Sequence, residues 1–254
     1  NYGTLIESLG GKYVTAGDVG MQVADMDVLG ETSQFVTGRS PEKGGVGDSG
    51  ILTALGIWQG MQACVEYLSG SNDLSRVTVG VIGAGKVGGR LISHLIEAGG
   101  ARVIAMDPVA SVRANLSATY PDLVFVDSFA EMLNCGLTII SPNAMGGFIT
   151  PELVPQLTSV GVSLVCGGAN NQLATPDVGD LLAAAGILYA PDFMVNCGGV
   201  IQVAEELVGA NVERAREQVM RVYPTTLTVL ESAAQAGITP VAAAEAAAWA
   251  LINA

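Results

Sequence analysis

Residues 76–88 read R-V-T-V-G-V-I-G-A-G-K-V-G, and the rest of the chain is arranged around them. Val77 to Ile82 is a short β-branched run, the composition of a strand buried on both faces of a parallel sheet. The run stops at Gly83-Ala84-Gly85-Lys86-Val87-Gly88, which fits G-x-G-x-x-G. Val87, Leu91, Leu95 and Ile96 then recur at helical spacing. In such a strand–turn–helix unit the first glycine allows the tight bend. The second lets a pyrophosphate reach the backbone, and the third lets the helix pack closely on the strand. The helix start offers free N–H groups and a partial positive charge to the anion. A second strand, Arg102 to Met106, ends at Asp107, 24 residues beyond Gly83, about where an acid grips the ribose hydroxyls of a bound dinucleotide. Pro108 follows, with no Arg or Lys to receive a 2′-phosphate, so the pattern favours NAD over NADP.

Downstream the alternation continues. Residues 111–120 read as helix, 123–126 and 137–140 as strands, 151–157 as helix, 163–166 as strand, 177–185 as helix and 187–189 as the last strand. Strands alternating with helices predict an α/β chain built on a doubly wound parallel sheet of Rossmann type. Ligands in such sheets sit beyond the C-terminal ends of the strands, here the loops at 83–88, 107–108, 141–147 and 167–171. Upstream, residues 1–9 read as the tail of a helix and 11–15 as a short strand. Residues 24–35 read as an acid-rich helix, 38–50 as a flexible loop and hinge, and 51–68 as a helix. After Gly198 the pattern is helical to the end, with 212–236 as one helix and 241–252 as another.

Half of the residues are hydrophobic and 14% are charged, which provides for a sizeable core. A net charge of −13 argues against nucleic-acid or membrane-surface partners, since either wants a basic face. Cys64, Cys135, Cys166 and Cys197 have no metal-ligand spacing and read as reduced packing thiols of a cytoplasmic protein. The one histidine, His94, is expected on a helix surface with no chemistry. The charged face of 213–221 is expected to be solvated, with i,i+4 ion pairs.

Seven stretches carry a family likeness: G-K-Y-V-T-A-G-D-V-G (11–20), V-T-G-R-S-P-E-K-G-G (36–45), L-T-A-L-G (52–56), G-A-G-K-V-G (83–88), N-A-M-G-G-F-I-T (143–150), G-A-N-N-Q-L (168–173) and I-L-Y-A-P-D-F-M-V-N-C-G-G-V (187–200). Through them almost the whole chain resembles the glutamate/leucine/phenylalanine/valine dehydrogenases. Residues 36–61 and I-L-Y-A-P-D-F look most similar to phenylalanine dehydrogenases, then to leucine and valine dehydrogenases.

The resemblance implies an oligomeric enzyme that oxidatively deaminates an L-amino acid to its 2-oxo acid and ammonia while reducing NAD. It makes Asp18 the catalytic carboxylate, a residue that by itself reads more simply as a turn former or helix cap. It gives Thr53 and Asn170 the nicotinamide carboxamide. The turn Gly83, Gly85, Lys86, Val87 and Gly88 takes the pyrophosphate, and Asp107 with Pro108 the adenosine ribose. Asn196 lies at the substrate–nicotinamide junction, and Val200 and Val203 line the substrate pocket. Glutamate-specific relatives carry a hydroxyl residue where this chain has Val203. A valine cannot pair a distal carboxylate, and burying one unpaired costs several kcal/mol. The expected substrate side chain is therefore apolar: Phe, Leu or Val.

Two departures stand out. The family's amino-terminal part bears a general-base lysine and a lysine for the α-carboxylate. Lys12, Lys43 and Lys86 lie in no matching motif, and the chain opens at Asn1. The lysine segment is expected upstream, on a separate chain, or nowhere. Its true absence would favour a non-catalytic NAD-binding scaffold or a repurposed oxidoreductase. Asn143 replaces a cysteine usual before the A-x-G-G turn, a change expected to be tolerated. The expected layout has residues 1–40 as the remnant of a catalytic domain, 41–232 as the NAD-binding domain, and 233–254 as a helix returning to the first.

Overall fold

The computed structural model describes residues 2–18 and 20–253. Asn1, Val19 and Ala254, which the reading above placed in the first helix, the G-D-V-G turn and the final segment, lie outside the described residues. Six strands, β1 (Thr78–Ile82), β2 (Arg102–Met106), β3 (Val124–Phe125), β4 (Ile139–Pro142), β5 (Leu164–Val165) and β6 (Leu188–Tyr189), form one sheet in the order β3-β2-β1-β4-β5-β6. Every neighbouring pair is parallel. This is the doubly wound order of a dinucleotide-binding sheet, and the strand order reverses between β1 and β4.

Before β1 come α1 (Tyr2–Ser8), α2 (Val23–Gly30) and α3 (Gly50–Ser69). The crossovers use α4 (Lys86–Ser93), α5 (Ala110–Thr119), α6 (Phe129–Leu133), α7 (Leu153–Ser159) and α8 (Val178–Ala184). The chain closes with α9 (Asp192–Val195), α10 (Gly198–Leu207), α11 (Val212–Val219), α12 (Val222–Ala236) and α13 (Pro240–Ile252).

Alternating strand residues feed two cores. Val79, Val81, Val103, Ala105, Ile139 and Leu164 pack on one face with residues of α3, α4, α12 and α13. Ile104, Ile140 and Val165 pack on the other with residues of α6, α7 and α8. The long α3 buries Leu52, Leu55, Ile57, Met61 and Val65. Removing five such side chains from water contributes roughly 10 kcal/mol gross. That makes α3 the post against which α9, α10 and α12 are set.

Several expectations are corrected. Residues 11–15 form no strand: Thr15 makes a single parallel bridge to Val36. The acid-rich helix stops not at Phe35 but at Gly30, where the Glu31 and Thr32 N–H groups turn to the carbonyls three residues back, those of Val28 and Leu29. Residues 212–236 are two helices. Pro224 has no N–H and would clash with a preceding turn, so it falls in the first turn of a new helix. A short helix, α6, was missed although Ser128 and Glu131 mark its start. The Ser128 hydroxyl accepts the Glu131 N–H at 3.2 Å. After α4 the coil widens to a π-helical turn, His94–Ala98. His94 is only partly at the surface: it is half-buried and stacks on Trp58, with ring centroids 5.3 Å apart. Burial, then the Arg216 charge, lowers its pKa. Arg214 forms no helix-surface ion pair but reaches the buried Glu205 of α10. All four cysteines are free, with Cys64 and Cys166 buried and Cys135 and Cys197 partly so.

Candidate active site

The glycine turn lies at the C-terminal end of β1. Gly83 has φ +87°, a left-handed conformation that favours glycine, and its N–H donates to the Met106 carbonyl at 2.8 Å. A Cβ on Gly88 would come within 1.9 Å of the Gly83 carbonyl oxygen, so only glycine lets α4 start this close to β1. Nothing lies within 4 Å of where a Gly85 Cβ would point. A pyrophosphate therefore has open space over the backbone at the start of α4, where N–H groups face outward. Lys86 is exposed in this turn and Val87 is partly buried against Gly168.

Asp107 closes the turn from the side. Its carboxylate accepts the Ala84 N–H and the Val109 N–H, each at 2.8 Å. Each oxygen keeps an unused lone pair, which leaves acceptors for two ribose hydroxyls. Pro108 beside it is exposed and brings no cation. The residues present fit a dinucleotide: an open glycine cradle, a helix start and an acid at the rim.

Across the switch point, the ends of β4 and β5 are joined by side chains. The Asn143 amide donates to the Ser141 carbonyl at 2.8 Å and to its hydroxyl at 3.0 Å. Its oxygen accepts the Gly168 N–H at 2.9 Å. Asn196, at the end of α9, donates to the Gly168 carbonyl at 3.2 Å and to Asn170 Oδ1 at 2.6 Å. Ser141, Asn143, Gly168, Asn196 and Asn170 thus form one hydrogen-bonded chain over three loops. Asn143, read from the sequence as a tolerated replacement, links Ser141 to Gly168 within it. A polar residue just past a buried strand end was the signal available.

Thr53 approaches from α3. Its hydroxyl donates to the Ser49 carbonyl at 2.9 Å. A Cβ on Gly199 would come within 2.4 Å of that hydroxyl, so the second glycine of N-C-G-G keeps Thr53 uncovered. Gly56 allows the Val195 carbonyl to lie against α3 in the same way. Gly199, which lies against the Thr53 hydroxyl, and Asn196, which is bonded to Asn170, are three residues apart on one segment. Val200 and Val203 follow on α10, turned away from the core: Val200 is 65% exposed and Val203 is partly buried. Asp18 is exposed in a turn whose Met21 N–H donates to the Asp18 carbonyl at 3.0 Å. The ammonium of Lys86 donates to the Met21 carbonyl, so the glycine turn and the Asp18 turn touch through a contact the motifs did not announce.

A family model described as Glutamate/Leucine/Phenylalanine/Valine dehydrogenase matches residues 109–250. The chain belongs to this family. A valine dehydrogenase of Streptomyces albus is 48% identical over 245 residues, covering 96% of this chain and 66% of that protein. A leucine dehydrogenase of Geobacillus stearothermophilus is 39% identical over 222 residues, covering 87% and 59%. The chain spans about two thirds of the length of the valine dehydrogenases it matches. Where the motifs looked most like phenylalanine dehydrogenases, the curated relatives named here are valine and leucine enzymes. Among solved structures, the L-tryptophan dehydrogenase from Nostoc punctiforme superposes with a TM-score of 0.81 at 30% identity, over 99% of this chain and 71% of that one. A hetero-hexameric glutamate dehydrogenase from Thermus thermophilus shares the fold, with a TM-score of 0.73 at 23% identity, over 91% and 61%. As a member of the Glu/Leu/Phe/Val dehydrogenase family, the chain places its most distinctive motifs, G-A-N-N-Q-L and Y-A-P-D-F-M-V-N-C-G-G, on the two sides of the Asn170–Asn196 contact.

Proposed function

We propose that the protein carrying this chain is an NAD-dependent dehydrogenase that oxidatively deaminates an apolar L-amino acid to its 2-oxo acid and ammonia. The observation that carries the reading is the Asn196–Asn170 bond beside a glycine cradle, with Gly199, three residues past Asn196, lying against Thr53. Val203, and not a hydroxyl residue, lies on the adjacent helix. When bound, NAD would supply the hydride acceptor. Gly83, Gly85, Lys86, Val87 and Gly88 would hold its pyrophosphate, Asp107 and Pro108 would border its ribose, and Thr53 and Asn170 would orient its carboxamide. Asn196 would fix Asn170 and face the substrate, and Asp18 would exchange protons at the substrate amino group. An apolar wall of Val200 and Val203 favours an apolar side chain, that of phenylalanine, leucine or valine, and disfavours a buried carboxylate by several kcal/mol.

The same reading makes residues 1–40 part of a substrate domain, 41–232 the cofactor domain, and the terminal segment a return to the first. The 232/233 boundary falls inside α12, and α13 buries Ala243 and Ala244 in the core shared with the sheet. Four free cysteines support a cytoplasmic setting, and a net charge of −13 supports a small-molecule rather than a nucleic-acid partner. The hetero-hexameric glutamate dehydrogenase neighbour supports an oligomer. Among the described residues no helix is long and apolar enough to cross a membrane.

The test is a panel of L-amino acids with NAD, followed by NADH absorbance. Turnover of valine, leucine or phenylalanine with little of glutamate is expected. NAD binding without turnover of any amino acid would overturn the reading in favour of a scaffold. NADH oxidation by a carbonyl compound outside the 2-oxo acids would point instead to a repurposed oxidoreductase.

A further inference from the structure

α10 carries Gln202 and Glu206 one helical turn apart, both with buried side chains. Neither has a part in the chemistry proposed above. The Gln202 amide donates to the Val46 carbonyl at 2.7 Å and to the Asp48 carbonyl at 3.3 Å. The Glu206 carboxylate accepts the Val46 N–H at 3.1 Å through one oxygen and the Gly38 N–H through the other. Val46 is therefore held at both of its backbone polar groups by one face of α10. A Cβ on Gly45 would come within 2.4 Å of the Glu206 carboxylate and 2.1 Å of the Arg39 carbonyl, so this segment lies directly on the side chain. The loop read from the sequence as flexible is in fact densely tied.

The same segment has other anchors. The Asp27 carboxylate of α2 accepts the Ser40 N–H at 2.9 Å. Asp48 pairs with Arg90 of α4 at 2.8 Å and accepts the Gly50 N–H at the start of α3. Residues 38–48 thus connect the Asp18-bearing part of the chain to the helix that also carries Val200 and Val203. The arrangement is costly. Gln202 Oε1 and Arg39 Nε are buried without hydrogen-bond partners, and desolvation raises the Glu206 pKa against the pull of the Gly38 N–H, the Arg39 charge and the Val46 N–H. An apolar pair would fill this space without a buried charge.

We propose that Gln202 and Glu206 are positioning residues, a two-point clamp that sets α10 and its Val200–Val203 wall against the segment leading to Asp18. The proposal rests on the reaction given above. It is tested in the full enzyme with Glu206→Gln, which turns an amide N–H onto one of two N–H donors. Gln202→Met, which keeps size and removes the donor, and the double variant complete the set. For each single variant kcat/KM for the amino acid is expected to fall about 10- to 100-fold, since small misplacements of reacting groups are expensive. KM should rise, and the NAD dissociation constant should stay within about twofold. Because both side chains hold Val46, the double variant should lose less than the product of the singles. Amide exchange at Gly38 and Val46 should accelerate in Glu206→Gln. A lowered melting temperature with kcat and KM unchanged would overturn the clamp, as would unchanged exchange at those amides. If the wild-type enzyme binds NAD but turns over no amino acid, the reaction fails instead, and exchange at Gly38 and Val46 alone then decides the clamp.

Discussion

The Asn196 amide donates to Asn170 Oδ1 at 2.6 Å, joining the end of α9 to the loop after β5. The same amide donates to the Gly168 carbonyl, whose own N–H is held by Asn143. Asn170 is 26 residues away along the chain and exposed, so its orientation depends on this bond. Replacing Asn196 by Ala removes two hydrogen bonds, each worth about 1 kcal/mol, and frees both partners. If Asn170 orients the carboxamide, kcat should fall by about tenfold or more, with the melting temperature shifted by only a few degrees. Steady-state kinetics with calorimetry checks this, and an unchanged kcat would detach the pair from catalysis.

Asp107 holds the glycine turn through two backbone N–H groups and is the proposed ribose acceptor. Asp107→Ala removes the acceptor of the Ala84 and Val109 N–H groups and, with it, the proposed ribose acceptor. Hydrogen bonds to a charged acceptor contribute about 1.5–3 kcal/mol, so the NAD dissociation constant should rise roughly 10- to 150-fold. Titration calorimetry measures it, and unaltered affinity would exclude Asp107 from the cofactor site.

Gly88→Ala places a methyl group 1.9 Å from the Gly83 carbonyl oxygen. Backbone must move, at a cost of about 1–3 kcal/mol, and the movement opens the cradle. Stability and NAD affinity should fall together. A variant that binds NAD normally would mean that α4 can slide without disturbing the turn.

The Glu205–Arg214 contact predicts a pH dependence. Hydrogen bonds from the Arg214 guanidinium, outweighing burial, hold the Glu205 carboxyl below its ordinary value of 4.5. A carboxyl with a lower pKa in the folded than in the unfolded state contributes stability above the unfolded value. That contribution disappears as pH falls through the folded value. Glu205→Gln should therefore show a shallower loss of melting temperature below about pH 4.5 than the wild type. Parallel curves over that range would show that the pair does not couple to folding.

What was legible in the sequence was what repeats locally. The β-branched run before Gly83, the helical spacing after it and the acid at Asp107 announce strand, turn, helix and strand, because buried faces impose periods of two and 3.6 on nearby residues. The break at Pro224 and the start at Ser128–Glu131 were readable in the same way. Tertiary structure alone decided the rest. Glu206 meets Val46 across 160 positions and Gln202 meets it across 156. Asn143 meets Gly168 across 25, and His94 lies on Trp58 although its place in the helix looked solvated. No periodicity reports such partners. A polar side chain that serves a distant backbone group has the same local neighbours as one facing water, and only the packed sheet, with α3 as its post, brings the two ends together.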